Sequence, residues 1–85
     1  MERRYDVIYA ILFWLRGQHA TAARIPVPLE TSAETPSDVL RYHIELCQEA
    51  GFIRELPNNE GVFRLTWCGH DKLDELAAQR RAGNA

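Results

Sequence analysis

The chain has 85 residues, of which 46% are hydrophobic and 26% charged. This composition is typical of one small folded domain and excludes a second one. The formal net charge of −2 excludes a general electrostatic attraction to nucleic acid or to anionic lipid, so any such binding needs a local basic patch. We expect a single domain over residues 1–82 and a frayed tail over residues 83–85.

The amino-terminal segment imitates a signal peptide, because two arginines precede an apolar run from Val7 to Leu15. Asp6 interrupts the junction and Arg16 closes the run, which is also too short to cross a bilayer. The two cysteines show no disulfide framework, so both are expected to be thiols in a reducing compartment. These features favour a cytoplasmic protein with no membrane partner.

The first predicted helix spans Tyr5 to Leu15 and carries two apolar stripes. One contains Val7, Ile11 and Trp14, and the other contains Ile8, Leu12 and Leu15. A helix that is apolar nearly all round must be covered nearly all round. We expect a homodimer whose interface includes Tyr5, Val7, Ile11 and Trp14. The alternative is that the carboxy-terminal helix and the strand after Gly17 cover this helix within one chain.

The segment Ile25–Leu29 alternates apolar residues with Pro26 and Pro28. Because proline donates no ladder hydrogen bond, the pattern predicts an edge strand with Ile25, Val27 and Leu29 facing inward. Between Gly17 and this strand, at most one short helical turn fits around Gln18 to Ala23.

A second helix is predicted from Pro36 to Glu49 or Ala50. Thr35 is expected to be its N-cap, with Pro36 at the first helical position and Asp38 in the first turn. Gly51 is expected to provide the carboxy-terminal cap.

A β-hairpin follows, with strands Phe52–Leu56 and Val62–Trp67 and a turn at Pro57–Gly61. Its alternation places Phe63, Leu65 and Trp67 on one face and Arg64 on the other. A last helix is predicted from about Gly69 to Arg81. The order helix, edge strand, helix, two-stranded wing and carboxy-terminal helix predicts an α+β winged-helix fold.

Three short motifs support this interpretation. They are Tyr42-His43-Ile44-x-Leu46, Glu49-Ala50-Gly51-x-Ile53 and Arg64-Leu65-Thr66-Trp67-x-Gly69-His70-Asp71-x-Leu73-Asp74. With these motifs, roughly residues 39–76 resemble the bacterial and prophage family catalogued as domain of unknown function twenty-five-thirteen. The resemblance implies a winged helix and no established activity. The chain departs from the family at Cys47, where Leu is usual, at Cys68, where Glu is usual, and in its aromatic first helix.

His43, Cys47, Cys68 and His70 have residue types that could form a zinc site. We favour instead two thiols and two structural imidazoles, and expect neither a metal nor a cofactor. His43, Trp67, His70 and Asp71 are then expected to form a structural junction between the hairpin and the helices.

No nucleophile motif or phosphate-binding loop is present, which argues against an enzyme. For double-stranded DNA, the candidate contacts are Ser37 and Arg41 on the second helix and Arg54 and Arg64 across the wing strands. The second helix is acidic overall, which opposes phosphate binding.

DNA binding is therefore the leading functional hypothesis. The alternative is a protein-interaction module, a homodimer that binds a host or phage protein and interferes with a nucleic-acid machine or a defence system. A third hypothesis is a structural subunit of a larger assembly.

Overall fold

The computed structural model describes residues 3–18, 22–26 and 36–83. Within these ranges the chain is an α+β protein with three helices and a three-stranded antiparallel sheet of order β1-β3-β2. The elements are α1 (Tyr5–Arg16), β1 (Ala23–Arg24), α2 (Ser37–Glu49), β2 (Ile53–Glu55), β3 (Val62–Leu65) and α3 (Trp67–Gly83). The α+β class and the order of the elements agree with the sequence prediction.

Helix α1 lies at the centre of the domain and packs against α2, α3 and β3. Both of its apolar stripes enter one core, through Val7, Ile8, Ile11, Leu12 and Leu15. The prediction that Val7 and Ile11 form a dimer interface is wrong, because each is 0% exposed within a single chain. Neighbouring elements of the same chain cover the two side chains. The carboxy-terminal helix α3 packs against α1, as the alternative predicted, together with α2 and β3.

A buried histidine connects α2 to the beginning of α1. The Nε2 atom of His43 accepts a hydrogen bond of 2.8 Å from the backbone N–H of Arg4. Its Nδ1 lies 2.8 Å from the carbonyl oxygen of Val39. Because an amide N–H only donates and a carbonyl only accepts, these partners assign a neutral imidazole with its proton on Nδ1. His43 therefore hydrogen-bonds to the beginning of α1 and within its own helix, and not at the hairpin junction where it was predicted.

A salt bridge closes the first turn of α1. The guanidinium of Arg4 lies 2.8 Å from the carboxylate of Asp6. Burial alone would raise the pKa of Asp6, but the hydrogen bond and positive charge of Arg4 lower it below its ordinary value. A carboxylate in the first turn also interacts favourably with the helix dipole.

Strand β1 occupies the predicted outer position of the sheet but lies earlier in the chain than predicted. Ala23 pairs with Phe63 and Arg24 with Val62. The ladder ends before Ile25, which is buried as expected, and the following Pro26 has no N–H to continue it. Ala23, predicted at the edge of a helical turn, is therefore in a strand. The other residues of the predicted turn, 19–21, and the predicted positions Val27, Leu29 and Thr35 lie outside the described residues.

Helix α2 begins one residue later than predicted and ends as predicted. Pro36 has extended backbone angles and is the N-cap residue, so the first helical position belongs to Ser37. At the other end, Gly51 has a φ of +79°. Its N–H donates to the carbonyl of Gln48, and that of Phe52 donates to Cys47. This pair of bonds is the Schellman motif that glycine favours.

The hairpin turn follows from its sequence. The N–H of Asn59 donates to the carbonyl of Leu56 at 3.2 Å, with Pro57 and Asn58 between them. Asn58 has a φ of +65°, as the third position of a type II turn requires. The register that results places Arg54 directly opposite Arg64, which confirms the predicted pairing across the two strands.

Helix α3 begins at Trp67, two residues before the predicted start, because Thr66 is its N-cap. The Oγ1 atom of Thr66 accepts the N–H of Gly69 at 3.1 Å and donates to the carbonyl of Gly51. Its backbone N–H donates to Phe52 at 3.0 Å. The helix continues to Gly83, past the predicted end at Arg81 and one residue into the predicted frayed tail.

The junction predicted at Trp67, His70 and Asp71 is not formed by these side chains. Trp67 is 83% exposed, and His70 and Asp71 are exposed as well. Because β3 ends at Leu65 and the chain turns into a helix, the strand alternation that would bury Trp67 does not reach it. Thr66 and Gly69 form the junction instead, and a methyl group on Gly69 would overlap the carbonyl oxygen of Phe52.

Candidate nucleic-acid interface

Two arginines face each other on the outer side of the hairpin. Arg54 and Arg64 are direct cross-strand partners, and both are exposed. Like charges placed directly opposite each other destabilise a sheet by about 0.2–1 kcal/mol. No ion pair among the described residues includes either guanidinium. An anion bound between them would relieve this repulsion.

An exposed tryptophan lies beside the two arginines. Trp67 lines the same surface groove as Arg54 and Arg64. We call this groove, with Gln48, Glu55 and Cys68 at its margins, the outer groove. Among the residues that line it, Glu55 is the one carboxylate, and its Oε2 accepts the N–H of Gly61 at 2.8 Å. The outer groove therefore carries a local positive charge although the chain is acidic.

The exposed side of α2 divides into two edges. Because successive residues of a helix are rotated by roughly 100°, Ser37, Arg41 and Gln48 fall within roughly 40° of one another. Asp38, Glu45 and Glu49 fall on the other edge, roughly 80° to 120° from Ser37. We call these the basic edge and the acidic edge of α2.

The basic edge continues into the outer groove, since Gln48 belongs to both. Glu49 on the acidic edge lines a different pocket, together with Arg3 and Lys72. The two predicted wing contacts are therefore brought together in the outer groove. Ser37 and Arg41 lie on the basic edge of α2, which leads to this groove. Arg41 is about 10 Å along the helix from Gln48. Asp38 and Glu49 lie farther round the helix from this surface, whereas Glu45 is one turn from Arg41 and roughly 40° from it, so one carboxylate adjoins the basic edge.

The two cysteines have different surroundings. Cys47 is buried in the core beside α1, and burial raises the pKa of its thiol to about 12. Cys68 is free and exposed at the outer groove. Within the described ranges, no three His, Cys, Asp or Glu side chains are placed to hold a metal ion.

A second set of aromatic and basic side chains lies where α1 meets α3. Tyr5, Tyr9 and Phe13 occupy successive turns of α1. Lys72 lies 5.3 Å from the ring centroid of Tyr5, Arg80 lies 4.6 Å from that of Tyr9, and Arg16 lies 5.4 Å from that of Phe13. We call these six residues the α1–α3 seam. Each ring has a cation within the range of a cation–π interaction.

Sequence analysis missed Thr66 as the residue that positions the backbone at Trp67. Thr66 followed three residues later by Gly69 is a usable signal, because threonine is a preferred N-cap. Assigning Trp67 to the strand concealed it. The exposure of Trp67 has no comparable local signal.

The described residues thus form a small α+β domain with an arginine-lined groove and an exposed tryptophan. A family model described as "Hypothetical protein (DUF2513)" matches residues 2–80. The chain belongs to this family, as its motifs suggested. No curated protein and no solved structure is significantly similar to the chain. No helix within the described ranges combines the length and apolar character needed to cross a membrane.

Proposed function

We propose that the chain is a winged-helix protein that binds DNA through the outer groove and the basic edge of α2. The order of its elements and the sheet order β1-β3-β2 support the winged-helix assignment, in which the hairpin is the wing. In this arrangement α2 enters the major groove and the wing strands lie along the phosphate backbone.

The observation that carries the proposal is the direct pairing of Arg54 with Arg64. Folding gains nothing from placing two guanidinium groups opposite each other, whereas phosphate binding does. We expect Arg41 to contact a base edge, since it lies near the beginning of α2 and on its basic edge.

The experiment is a titration of a labelled mixed-sequence duplex by fluorescence anisotropy, at about 50 mM and about 200 mM salt. We expect binding that weakens steeply with salt. Arg64→Ala should weaken binding to all sequences alike and lower the slope against salt by about one, whereas Arg41→Ala should relax sequence preference.

The matched control is Arg81→Ala, which removes the same charge about 21 Å along α3 from Trp67 and should bind as wild type. Absence of binding at the lower salt concentration would overturn the proposal. Equal losses for Arg64→Ala and Arg81→Ala would show that total charge, and not this surface, is responsible.

A second function, homodimerisation, is favoured by the exposure of the α1–α3 seam. Tyr5 is 47% exposed and Phe13 is 50% exposed, and exposed aromatic residues are enriched at protein interfaces. The dimer interface then contains Tyr5, Tyr9 and Phe13 in place of Val7 and Ile11; Trp14 lies roughly 100° around the helix from Phe13. The molar mass from light scattering tests it: Phe13→Ser should convert a dimer into a monomer.

A further inference from the structure

We propose that the outer groove binds a single-stranded segment of nucleic acid, with one unpaired base stacked on Trp67 and the flanking phosphates held by Arg54 and Arg64. The inference rests on the proposed function and specifies its target: DNA in which a single-stranded stretch adjoins the duplex.

The first argument is the exposure of the indole. Trp67 is 83% exposed, and none of the cation–π or ring–ring contacts among the described residues includes it. A single exposed ring is common on protein surfaces, but this one lies in a groove that two arginines also line. The flat face of an unpaired base covers such a ring, whereas the bases of an intact duplex are already stacked on each other.

The second argument is that the backbone that carries the ring is held at a fixed place. Thr66, the residue before Trp67, uses its hydroxyl to bond Gly51 and Gly69 and its N–H to bond Phe52. Gly69 is pressed against the backbone of Phe52. Because the backbone at Trp67 is fixed before binding, little conformational entropy is lost when a base stacks on it.

The third argument is charge. Arg54 and Arg64 line the same groove as Trp67, and the carboxylate of Glu55 is engaged by Gly61. Basic side chains that follow the backbone, together with an aromatic ring that accepts any base, are the two components of single-strand binding sites.

The test compares two labelled probes in anisotropy titrations of the full chain: a blunt duplex and the same duplex with an oligothymidine overhang. Wild type should bind the overhang probe about 5- to 150-fold more tightly, as expected for one stacked base. Trp67→Ala should remove this preference, so that the overhang and blunt probes are bound with similar affinity, and Trp67→Phe should retain part of it. Quenching of tryptophan fluorescence by the overhang probe should disappear in Trp67→Phe.

Arg81→Ala again serves as the control, since it truncates an exposed side chain about 21 Å along α3 from Trp67, and it should bind both probes as wild type. The thermal midpoint of Trp67→Ala should match that of wild type because the ring has few contacts. Equal binding of both probes by wild type, or an equal loss on both probes in Trp67→Ala, would overturn the single-strand inference while leaving DNA binding intact. Failure of both probes to bind at low salt would overturn the proposed function itself.

Discussion

The α1–α3 seam and the outer groove both contain aromatic and basic side chains. The two regions differ in whether those side chains have partners among the described residues. In the α1–α3 seam each ring has a cation beside it, and two of those cations also approach carboxylates, Arg16 that of Asp74 and Lys72 that of Glu75. In the outer groove neither Trp67 nor the two arginines has such a partner among the described residues. Folding accounts for the first arrangement and leaves the second unexplained, and this difference directs the functional proposal to the groove.

The largest expected effect is the difference in reaction rate between the thiols of Cys47 and Cys68. Burial raises the pKa of Cys47 to about 12, so at pH 8 its thiolate fraction is about a thousandfold smaller than that of an ordinary thiol. We expect one rapidly and one very slowly reacting thiol with a chromogenic disulfide reagent, and loss of the rapid phase in Cys68→Ser. The slow phase should accelerate as the pH rises towards 12. Two rapid phases in the native protein would contradict the buried position of Cys47.

The next prediction concerns Gly69, whose close contact with Phe52 helps to fix the backbone at Trp67. Gly69→Ala should destabilise the protein by about 1–3 kcal/mol, because the added methyl overlaps the backbone of Phe52. The control is Gly17→Ala, where the nearest atoms lie 3.5 Å away and φ is −76°. That substitution should be neutral or stabilise by about 0.4–1 kcal/mol. Urea unfolding measures both, and a stabilising Gly69→Ala would refute the close approach.

Removal of one cation from each region sharpens the comparison. Arg80→Gln removes the guanidinium above the Tyr9 ring and should lower the free energy of unfolding by about 0.5–1 kcal/mol. Arg54→Gln removes a guanidinium that has only Arg64 opposite it, so the free energy of unfolding should stay the same or rise. Equal losses in urea unfolding would mean that the two regions are equivalent structural elements.

The smallest expected effect is an increase in the free energy of unfolding, where most substitutions cause a decrease. Arg64→Glu should stabilise the hairpin by about 0.2–1 kcal/mol, because it replaces repulsion across the strands by attraction to Arg54. The same variant should lose DNA binding, so stability and binding change in opposite directions. In the double variant Arg54→Glu with Arg64→Glu, repulsion returns and the gain in thermal midpoint should vanish. A gain that persists there would have a cause other than the pair.

Local patterns were sufficient for the order of the elements and for part of the site. The turn at Pro57–Gly61 fixes the hairpin register, so the pairing of Arg54 with Arg64 could be predicted from sequence. Gly51 and the apolar spacing of α2 were equally informative.

What failed depends on contacts between distant parts of the chain. Val7 and Ile11 look like a surface stripe until α2, α3 and β3 cover them. The partner of His43 is the backbone of Arg4, which lies 39 residues away and which periodicity cannot indicate. Trp67 continues the alternation of Phe63 and Leu65, and only the cap at Thr66 shows that the strand has already ended.

The most direct test of the central claim is an NMR titration of the ¹⁵N-labelled protein with the overhang duplex, which follows the indole N–H signals of Trp14 and Trp67 and the amides of both regions. The account predicts that the signals of Trp67, Arg54 and Arg64 shift while those of Trp14, Tyr9 and Phe13 remain in place. Shifts confined to the α1–α3 seam, with the Trp67 signal unchanged, would contradict it.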